Sequence, residues 1–322
     1  MPTATGAPAS FVALEKTPLG LGRAELLAAM EPFVARRTTR DDPAFRAELA
    51  RKQAKTRRRL RRRRWLGWLR AGRRGQREIE AVYDESWARK GFAPYAPPPR
   101  PARAAAWEYG DDALFATMAA GARARLLVLL RTIEWLSPRS VLEVGCGNGV
   151  NLLVAACRFP EIRFAGVELT AGGVAVARSA QAEAALPEVL RRFAPEPLRD
   201  PGAHRRVELR QGSAAQLPFE DGAFDLVYSC LALEQMEEVR DRALAEMARV
   251  AARHVVMLEP FVESNDEGLR RDYRLSRDHF AGAVGDLPRY GLAPILVTDD
   301  LPGEIWLRPC LAVCRRGAAE GA

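Results

Sequence analysis

The stretch Ser140-Val-Leu-Glu-Val-Gly-Cys-Gly-Asn-Gly-Val150 decides the fold of this 322-residue chain. Residues 140–144 read as a buried β-strand, and a helix is expected over 149–158. The three glycines between them allow a tight turn and let the backbone approach a ligand without a Cβ clash. Their G-x-G-x-G spacing differs from that of dinucleotide sites and phosphate loops, and no Lys follows. The neighbouring Glu143 also disfavours a pyrophosphate and suits a ligand that carries an amine.

The segments on either side of this turn alternate between strand and helix patterns. Strands are expected at 163–168, 206–210, 224–230 and 254–258, and helices at 112–136, 171–185 and 236–251. This alternation indicates a doubly wound, Rossmann-like α/β fold with a mostly parallel sheet. The last two strands, 293–298 and 305–314, are separated by too few residues for a crossover helix, so the pair should be antiparallel.

The first 110 residues have a different sequence pattern. A helical spacing runs through 19–37, a mostly helical pattern covers 43–90, and a proline-rich connector occupies 95–103. We therefore expect an N-terminal helical, Arg-rich extension with its connector over 1–110, the main α/β domain over 111–316 and a tail over 317–322. The extension precedes the main fold rather than interrupting it.

The net charge of +8 is concentrated in one part of the extension. Fourteen Lys and Arg and no Asp or Glu lie between Arg51 and Arg77, so the remaining chain carries −6. Trp65, Trp68 and Leu69 follow the densest run, at helical spacing. The segment suits an anionic membrane surface, nucleic acid or an acidic protein partner, and it is equally typical of a solvated arm.

The composition excludes other classes. No apolar run approaches the ~18–20 residues of a membrane helix, and the N-terminus lacks the pattern of a secretory signal. The five cysteines form no C-x-x-C pair, which indicates buried free thiols and no metal site. A cytoplasmic protein is expected, with possible attachment to the inner face of the membrane.

Several motifs in order resemble the class I S-adenosylmethionine-dependent methyltransferases, and the type 11 group in particular. They are VLEVGCGNG, GVELT, QGSAAQLPFEDGAFDLVYSCLALEQM, LAEMARV and VVMLEP. The resemblance covers about residues 111–316 and implies a seven-stranded sheet with an antiparallel last strand. It implies S-adenosylmethionine as the cofactor.

Glu168 closes the second strand about 20 residues after the turn, which is the usual place for a carboxylate that accepts ribose hydroxyls. The resemblance implies further cofactor contacts. Trp107 and Tyr109 are expected to fold over the cleft, with Tyr83 and Trp87 as the alternative aromatic lid. The full set of expected cofactor residues is Glu143, Gly145, Cys146, Gly147, Gly149, Glu168, Leu169, Ser213, Ala214, Ser229, Cys230, Trp107 and Tyr109.

Two positions depart from the family pattern. Ser213 stands where the family usually has Asp, and a hydroxyl is a weaker acceptor than a carboxylate. Gln235 stands where a His is frequent, and Gln cannot act as a base. Candidate catalytic residues are therefore Glu234 and Glu259, which follow strands, and His279 in the insertion 261–280.

The sequence thus predicts methyl transfer to a small-molecule or lipid-like acceptor by in-line displacement. Two alternatives stay open. One is an RNA methyltransferase that uses the segment Arg51–Arg77, although the Asn-Pro-Pro-Tyr-like motif of amino-methylating nucleic-acid enzymes is missing after the fourth strand. The other is a cofactor-binding protein without catalysis.

Overall fold

A computed structural model describes residues 10–66, 76–98, 104–277 and 280–317. The strands are β1 (Val34–Thr38), β2 (Ala105–Tyr109), β3 (Asp112–Ala116), β4 (Ser140–Val144), β5 (Arg163–Glu168), β6 (Glu208–Gln211), β7 (Phe224–Cys230), β8 (Ala251–Glu259), β9 (Leu292–Thr298), β10 (Gly303–Glu304) and β11 (Cys310–Arg316). The helices are α1 (Arg23–Met30), α2 (Pro43–Leu66), α3 (Gln76–Lys90), α4 (Met118–Leu136), α5 (Val150–Arg158), α6 (Ala171–Gln181), α7 (Glu188–Phe193), α8 (Arg240–Val250) and α9 (Gly268–Arg277).

A seven-stranded sheet in the order β6-β5-β4-β7-β8-β11-β9 forms the centre of the molecule. Neighbouring strands from β6 to β8 are parallel, whereas β11 runs antiparallel to both β8 and β9. The predicted mostly parallel sheet with an antiparallel last strand is therefore confirmed. The chain order reverses on the two sides of β4, which is where doubly wound sheets bind ligands at their carboxyl edge.

Apolar side chains bury both faces of this sheet, because successive strand residues point to opposite sides. Val141 belongs to a cluster that includes residues of α4 and α5, and its neighbour Leu142 belongs to a second cluster that includes residues of α8. The central strand is thus covered on both sides, as a doubly wound fold requires.

The structure contains a second sheet, in the order β1-β3-β2-β10. Because residues 34–38 and 112–116 are strands of this sheet, the predicted helix over 112–136 begins too early and the predicted helical pattern over 34–37 is wrong. Residues 112–116 form a strand, and α4 begins only at Met118. Tyr109 pairs with Asp112 across a two-residue turn in which Gly110 has a φ of +55°. Such a Gly-Asp turn joins two antiparallel strands directly, and this local signal outweighs the apolar spacing that resembled a helix.

The helices of the N-terminal extension pack on separate parts of the molecule. Helix α1 contacts α4, α2 contacts α9, and α3 contacts α6. Helix α2 contains the basic run and ends at Leu66. Trp68 and Leu69, which were expected to continue the apolar spacing of Trp65, lie outside the described residues. Among the helices described, none combines the length and the apolarity needed to cross a membrane.

Candidate functional site

The glycine turn after β4 has a backbone that only glycine adopts readily. Gly145, Gly147 and Gly149 have φ values of +74°, +56° and +79°. A Cβ added to Gly145 would lie 2.6 Å from the Cβ of Ala232, and one added to Gly147 would lie 2.9 Å from the Trp87 ring. Side chains at 145 and 147 are therefore excluded by close neighbours as well as by backbone conformation.

Glu168, at the carboxyl end of β5, presents a buried carboxylate beside this turn. Its Oε2 accepts from the backbone N–H of Gly147 at 2.8 Å, and its Oε1 accepts from the backbone N–H and hydroxyl of Thr170 at 2.9 and 2.7 Å. A carboxylate has about four acceptor positions, so these three donors orient the group and leave capacity for a ligand hydroxyl.

A cavity of about 270 Å³ opens between the glycine turn, the end of β5 and the loop after β7. It is lined by eight of the thirteen predicted cofactor residues, namely Glu143, Gly145, Cys146, Gly147, Glu168, Leu169, Ala214 and Cys230. These residues are far apart in sequence and meet because the carboxyl ends of β4, β5 and β7 share one edge of the sheet.

Five predicted residues lie elsewhere. Gly149 precedes α5 and packs on Ala177. Ser213 accepts from the backbone N–H of Ala215 at 3.2 Å, and Ser229 is buried beside Glu259. Trp107 and Tyr109 are fully buried in β2, so the expectation that they cover the cleft is corrected.

Aromatic residues from the extension do line the cavity, but they come from α3 and the segment after it. Tyr83 and Trp87 lie one helical turn apart on α3, and Tyr95 follows that helix. Two bonds hold this segment over the site: the backbone N–H of Gly172 donates to Asp84, and Asn148 donates to the carbonyl of Gly91 at 2.9 Å. The α3 segment therefore forms the roof of the cavity.

A buried carboxyl group and an arginine mark one end of the cavity. Glu143 is 2% exposed, accepts from Asn151 at 3.2 Å, and has its pKa raised to about 8 by burial. Arg125 of α4, which sequence reasoning missed, has a buried Nη1 with no hydrogen-bond partner among the described residues. The apolar surroundings of Arg125 in α4 gave no sequence signal for a ligand contact.

The loop after β7 is held in a strained form next to the cavity. Leu231 has a φ of +50°, which is unfavourable for a residue with a branched side chain. Both oxygens of Glu259, at the end of β8, accept from backbone N–H groups of this loop: Ala232 and Leu233 at 3.0 and 3.1 Å, and Glu234 at 3.4 Å. Glu259 is therefore occupied in shaping the loop.

Of the other predicted catalytic residues, Glu234 lies in this same loop and His279 lies outside the described residues. Glu234 accepts from Gln235 at 2.9 Å, and burial raises its pKa to about 7. A carboxyl group with such a pKa can exchange a proton near neutral pH.

Comparison with known proteins identifies the domain that contains this site. Residues 142–257 match the sequence model of a family described as "Methyltransferase domain". Ajmaline N-methyltransferase of Rauvolfia serpentina is 30% identical over 115 residues, which is 36% of this chain and 33% of that protein. The chain thus spans about a third of the length of this curated relative. Residues 142–257 form a class I S-adenosylmethionine-dependent methyltransferase domain.

Solved structures with similarity to this chain are only distantly related in sequence. Geranyl diphosphate C-methyltransferase from Streptomyces coelicolor is 14% identical, with a TM-score of 0.42, over 61% of this chain and 81% of that one. Magnesium protoporphyrin IX methyltransferase from Synechocystis is 14% identical, with a TM-score of 0.45, over 61% of this chain and 84% of that one.

The residues of the methyltransferase site fit S-adenosylmethionine, the cofactor of this family. Gly145 and Gly147 line the cavity, and Glu168 offers acceptor capacity for a ribose hydroxyl. Glu143 offers an acceptor for the ammonium of the methionine portion, and Arg125 offers a donor for its carboxylate. The segment 212–214, which is expected along the adenine, fits less well. Ser213 accepts from the backbone N–H of Ala215, and of these three residues only Gly212 and Ala214 line the cavity.

Proposed function

We propose that the chain is an active methyltransferase that transfers the methyl group of S-adenosylmethionine to a small-molecule acceptor. The observation that carries this proposal is the buried Glu168 carboxylate, oriented by Gly147 and Thr170 at the edge of the cavity. A buried carboxylate is costly unless it is bonded, and this one has acceptor capacity directed toward a ligand space. The similarity to an enzyme named for N-methylation of ajmaline supports a small-molecule acceptor.

When bound, the cofactor supplies an electrophilic methyl group on a sulfonium. Glu168 would hold the ribose, and Glu143 and Arg125 would hold the amino-acid portion, so that the sulfonium is placed near Cys230 and Leu231. The roof residues Tyr83, Trp87 and Tyr95 would exclude water from the bound cofactor. Because the leaving sulfur departs neutral, the enzyme needs to orient the acceptor and, for a protonated acceptor, to accept one proton.

Calorimetry with S-adenosylhomocysteine, followed by transfer of labelled methyl from S-adenosylmethionine into fractionated lysate, tests this function. We expect binding, and label in the small-molecule or lipid fraction. Label in the RNA fraction would indicate that the acceptor is RNA and not a small molecule. Cofactor binding without any labelled product would indicate a cofactor-binding protein without catalysis. Absence of binding would refute the proposed function itself.

We further propose that the basic helix α2 attaches the enzyme to an anionic membrane surface. Trp65 is 79% exposed at the end of α2, and Leu275 of the neighbouring helix α9 is 44% exposed. Arg63 donates to the carbonyl of Leu275 at 2.8 Å, so the end of α2 lies against α9. Exposed Trp and Leu among arginines are typical of interfacial binding and give no advantage on a phosphate backbone alone.

Sedimentation with vesicles tests this attachment. We expect the protein to bind vesicles of phosphatidylcholine with phosphatidylserine and not vesicles of phosphatidylcholine alone. The double variant Trp65→Ala, Leu275→Ala should lose binding, whereas Val82→Ala, an exposed apolar control on α3, should not. Unchanged binding of the double variant would overturn the interfacial role, and salt-sensitive RNA binding in place of vesicle binding would favour the nucleic-acid alternative.

A further inference from the structure

Gln235 lines the cofactor cavity and stands where a His is frequent in the family. Its side-chain Nε2 donates to the Glu234 Oε1 at 2.9 Å. An ionised carboxylate only accepts hydrogen bonds, so this contact fixes which end of the Gln235 amide faces Glu234. Within the described ranges no donor bonds to the carbonyl oxygen Oε1 of Gln235, and that oxygen keeps access to solvent. Oε1 is therefore an available hydrogen-bond acceptor on a residue of the cavity wall.

The backbone holds Gln235 in a fixed position. The three residues before it, 232–234, donate their backbone N–H groups to the Glu259 carboxylate at 3.0, 3.1 and 3.4 Å. The N–H of Gln235 itself donates to the carbonyl of Ala232 at 3.0 Å. Strained backbone such as that of Leu231, with its φ of +50°, persists only where the surroundings enforce it. This loop is therefore built to place the Gln235 amide.

The same loop lies directly against the glycine turn that would hold the methionine portion of the cofactor. A Cβ added to Gly145 would lie 2.6 Å from the Cβ of Ala232 and 3.0 Å from the Cε of Met236. Gln235 lies between these two contacts in the chain and lines the same cavity as Gly145 and Cys230. Its amide is thus next to the end of the cavity where the methyl group would be presented.

The cavity wall favours a nitrogen nucleophile over a hydroxyl. Among the described residues that line it there is no His or Lys. The buried carboxyl groups of Glu143 and Glu168 are assigned to the cofactor, and Glu238 is exposed to solvent. A hydroxyl must lose its proton as it reacts and therefore needs a base in contact with it, whereas the lone pair of an uncharged amine attacks without one.

We propose that the Gln235 carbonyl oxygen accepts a hydrogen bond from the N–H of an uncharged amine, and that this bond directs the nitrogen lone pair toward the methyl group. This inference rests on the proposed function and names its acceptor class. The lone pair forms the N–C bond while the C–S bond breaks, and the sulfur keeps that electron pair as a thioether. The ammonium product then loses its proton through water to the ionised Glu234 carboxylate.

Two anilines that differ in one N–H group test this role. N-methylaniline has a single N–H, N,N-dimethylaniline has none, and both are uncharged at neutral pH. Their Kd values are measured by saturation-transfer NMR on the full chain saturated with S-adenosylhomocysteine. One uncharged hydrogen bond corresponds to about two- to tenfold in Kd. We therefore expect the wild type to bind N-methylaniline more tightly than N,N-dimethylaniline by about that factor.

Variants of Gln235 show whether its carbonyl oxygen causes this preference. Gln235→Met keeps the length of the side chain without the oxygen, and it should bind the two anilines equally. Gln235→His should keep the preference, because a neutral imidazole also has an acceptor nitrogen. Gln216→Met is the matched control, since Gln216 is an exposed glutamine that does not line the cavity, and it should behave like the wild type.

Equal affinity of the wild type for both anilines, binding of neither, or a preference that survives Gln235→Met would overturn the role of Gln235. If Gln235→Met fails to fold, Gln235→Asn provides the same test by withdrawing the amide by one methylene group. Calorimetry with S-adenosylhomocysteine on the same samples separates the two proposals. Retained cofactor binding without a preference between the anilines refutes only the acceptor class, whereas absent cofactor binding in the wild type refutes the proposed function.

Discussion

Replacing Glu168 with alanine should weaken cofactor binding through the loss of one defined carboxylate. A hydrogen bond to a charged group contributes about 1.5–3 kcal/mol. The one ribose hydroxyl for which Glu168 has acceptor capacity would therefore contribute about 1.5–3 kcal/mol, and each 1.4 kcal/mol corresponds to tenfold in Kd. We expect the Kd for S-adenosylhomocysteine, measured by calorimetry, to rise about 10- to 100-fold.

The same substitution has a structural effect that must be separated from binding. The backbone N–H groups of Gly147 and Thr170 and the Thr170 hydroxyl all lose their acceptor, and each buried donor left unbonded costs about 1–3 kcal/mol. A lower melting temperature is therefore expected. Adenine, which lacks the ribose, distinguishes the effects, because its affinity should change little if Glu168 acts through the hydroxyls.

Glu183→Ala is the control, since Glu183 is an exposed carboxylate at the end of α6. It should leave both affinities unchanged. A folded Glu168→Ala protein that binds S-adenosylhomocysteine within threefold of the wild type would refute the ribose assignment. Equal losses for adenine and S-adenosylhomocysteine would show that the carboxylate acts only by shaping the loop.

Three further substitutions test other parts of the site. Arg125→Gln should weaken S-adenosylhomocysteine binding about 10- to 100-fold through loss of a charged hydrogen bond, and methylthioadenosine, which lacks the amino-acid portion, should be unaffected in calorimetry. Glu259→Gln leaves a loop N–H facing an amide NH₂ group, so urea unfolding should show a loss of about 1.5–3 kcal/mol, and unchanged stability would contradict the loop-shaping role. Because Glu234 accepts a proton only when ionised, kcat/KM should rise with pH through about 7. Glu234→Gln should remove this rise of kcat/KM with pH, while the charged and polar neighbours of residue 234, which are Glu259, Gln235 and Arg125, stay unchanged. A pH profile identical to that of the wild type would exclude Glu234 as the acceptor of the proton.

The sequence predicts the central sheet well because its signals are local. The strand 140–144, the glycine turn and Glu168 lie within thirty residues, and a buried strand followed by glycines has few alternative structures. The eight predicted residues around the cavity follow from the rule that carboxyl ends of parallel strands share one edge.

Long-range contacts are what the sequence does not reveal. Two aromatic pairs could cover the cavity, and local sequence does not distinguish them. In the folded chain Trp107 lies in β2, whereas Trp87 lies beside the glycine turn. Gly172 and Asp84 are 88 positions apart and meet only through packing of α3 on α6. Strand pairing of 112–116 depends on residues 34–38 as well as on the adjacent strand 105–109, so an apolar spacing alone misassigned it.

The small sheet limits how this chain can be divided into fragments. Its strands come from residues 34–38, 105–116 and 303–304, so a fragment cut at residue 111, where the family resemblance begins, would lose β1 and β2, which are the neighbours of β3, and would leave β10 without its partner β2. Unpaired strand edges recruit other chains. We therefore expect residues 111–322 expressed alone to aggregate, because the first 110 residues supply the partner strands of β3 and β10.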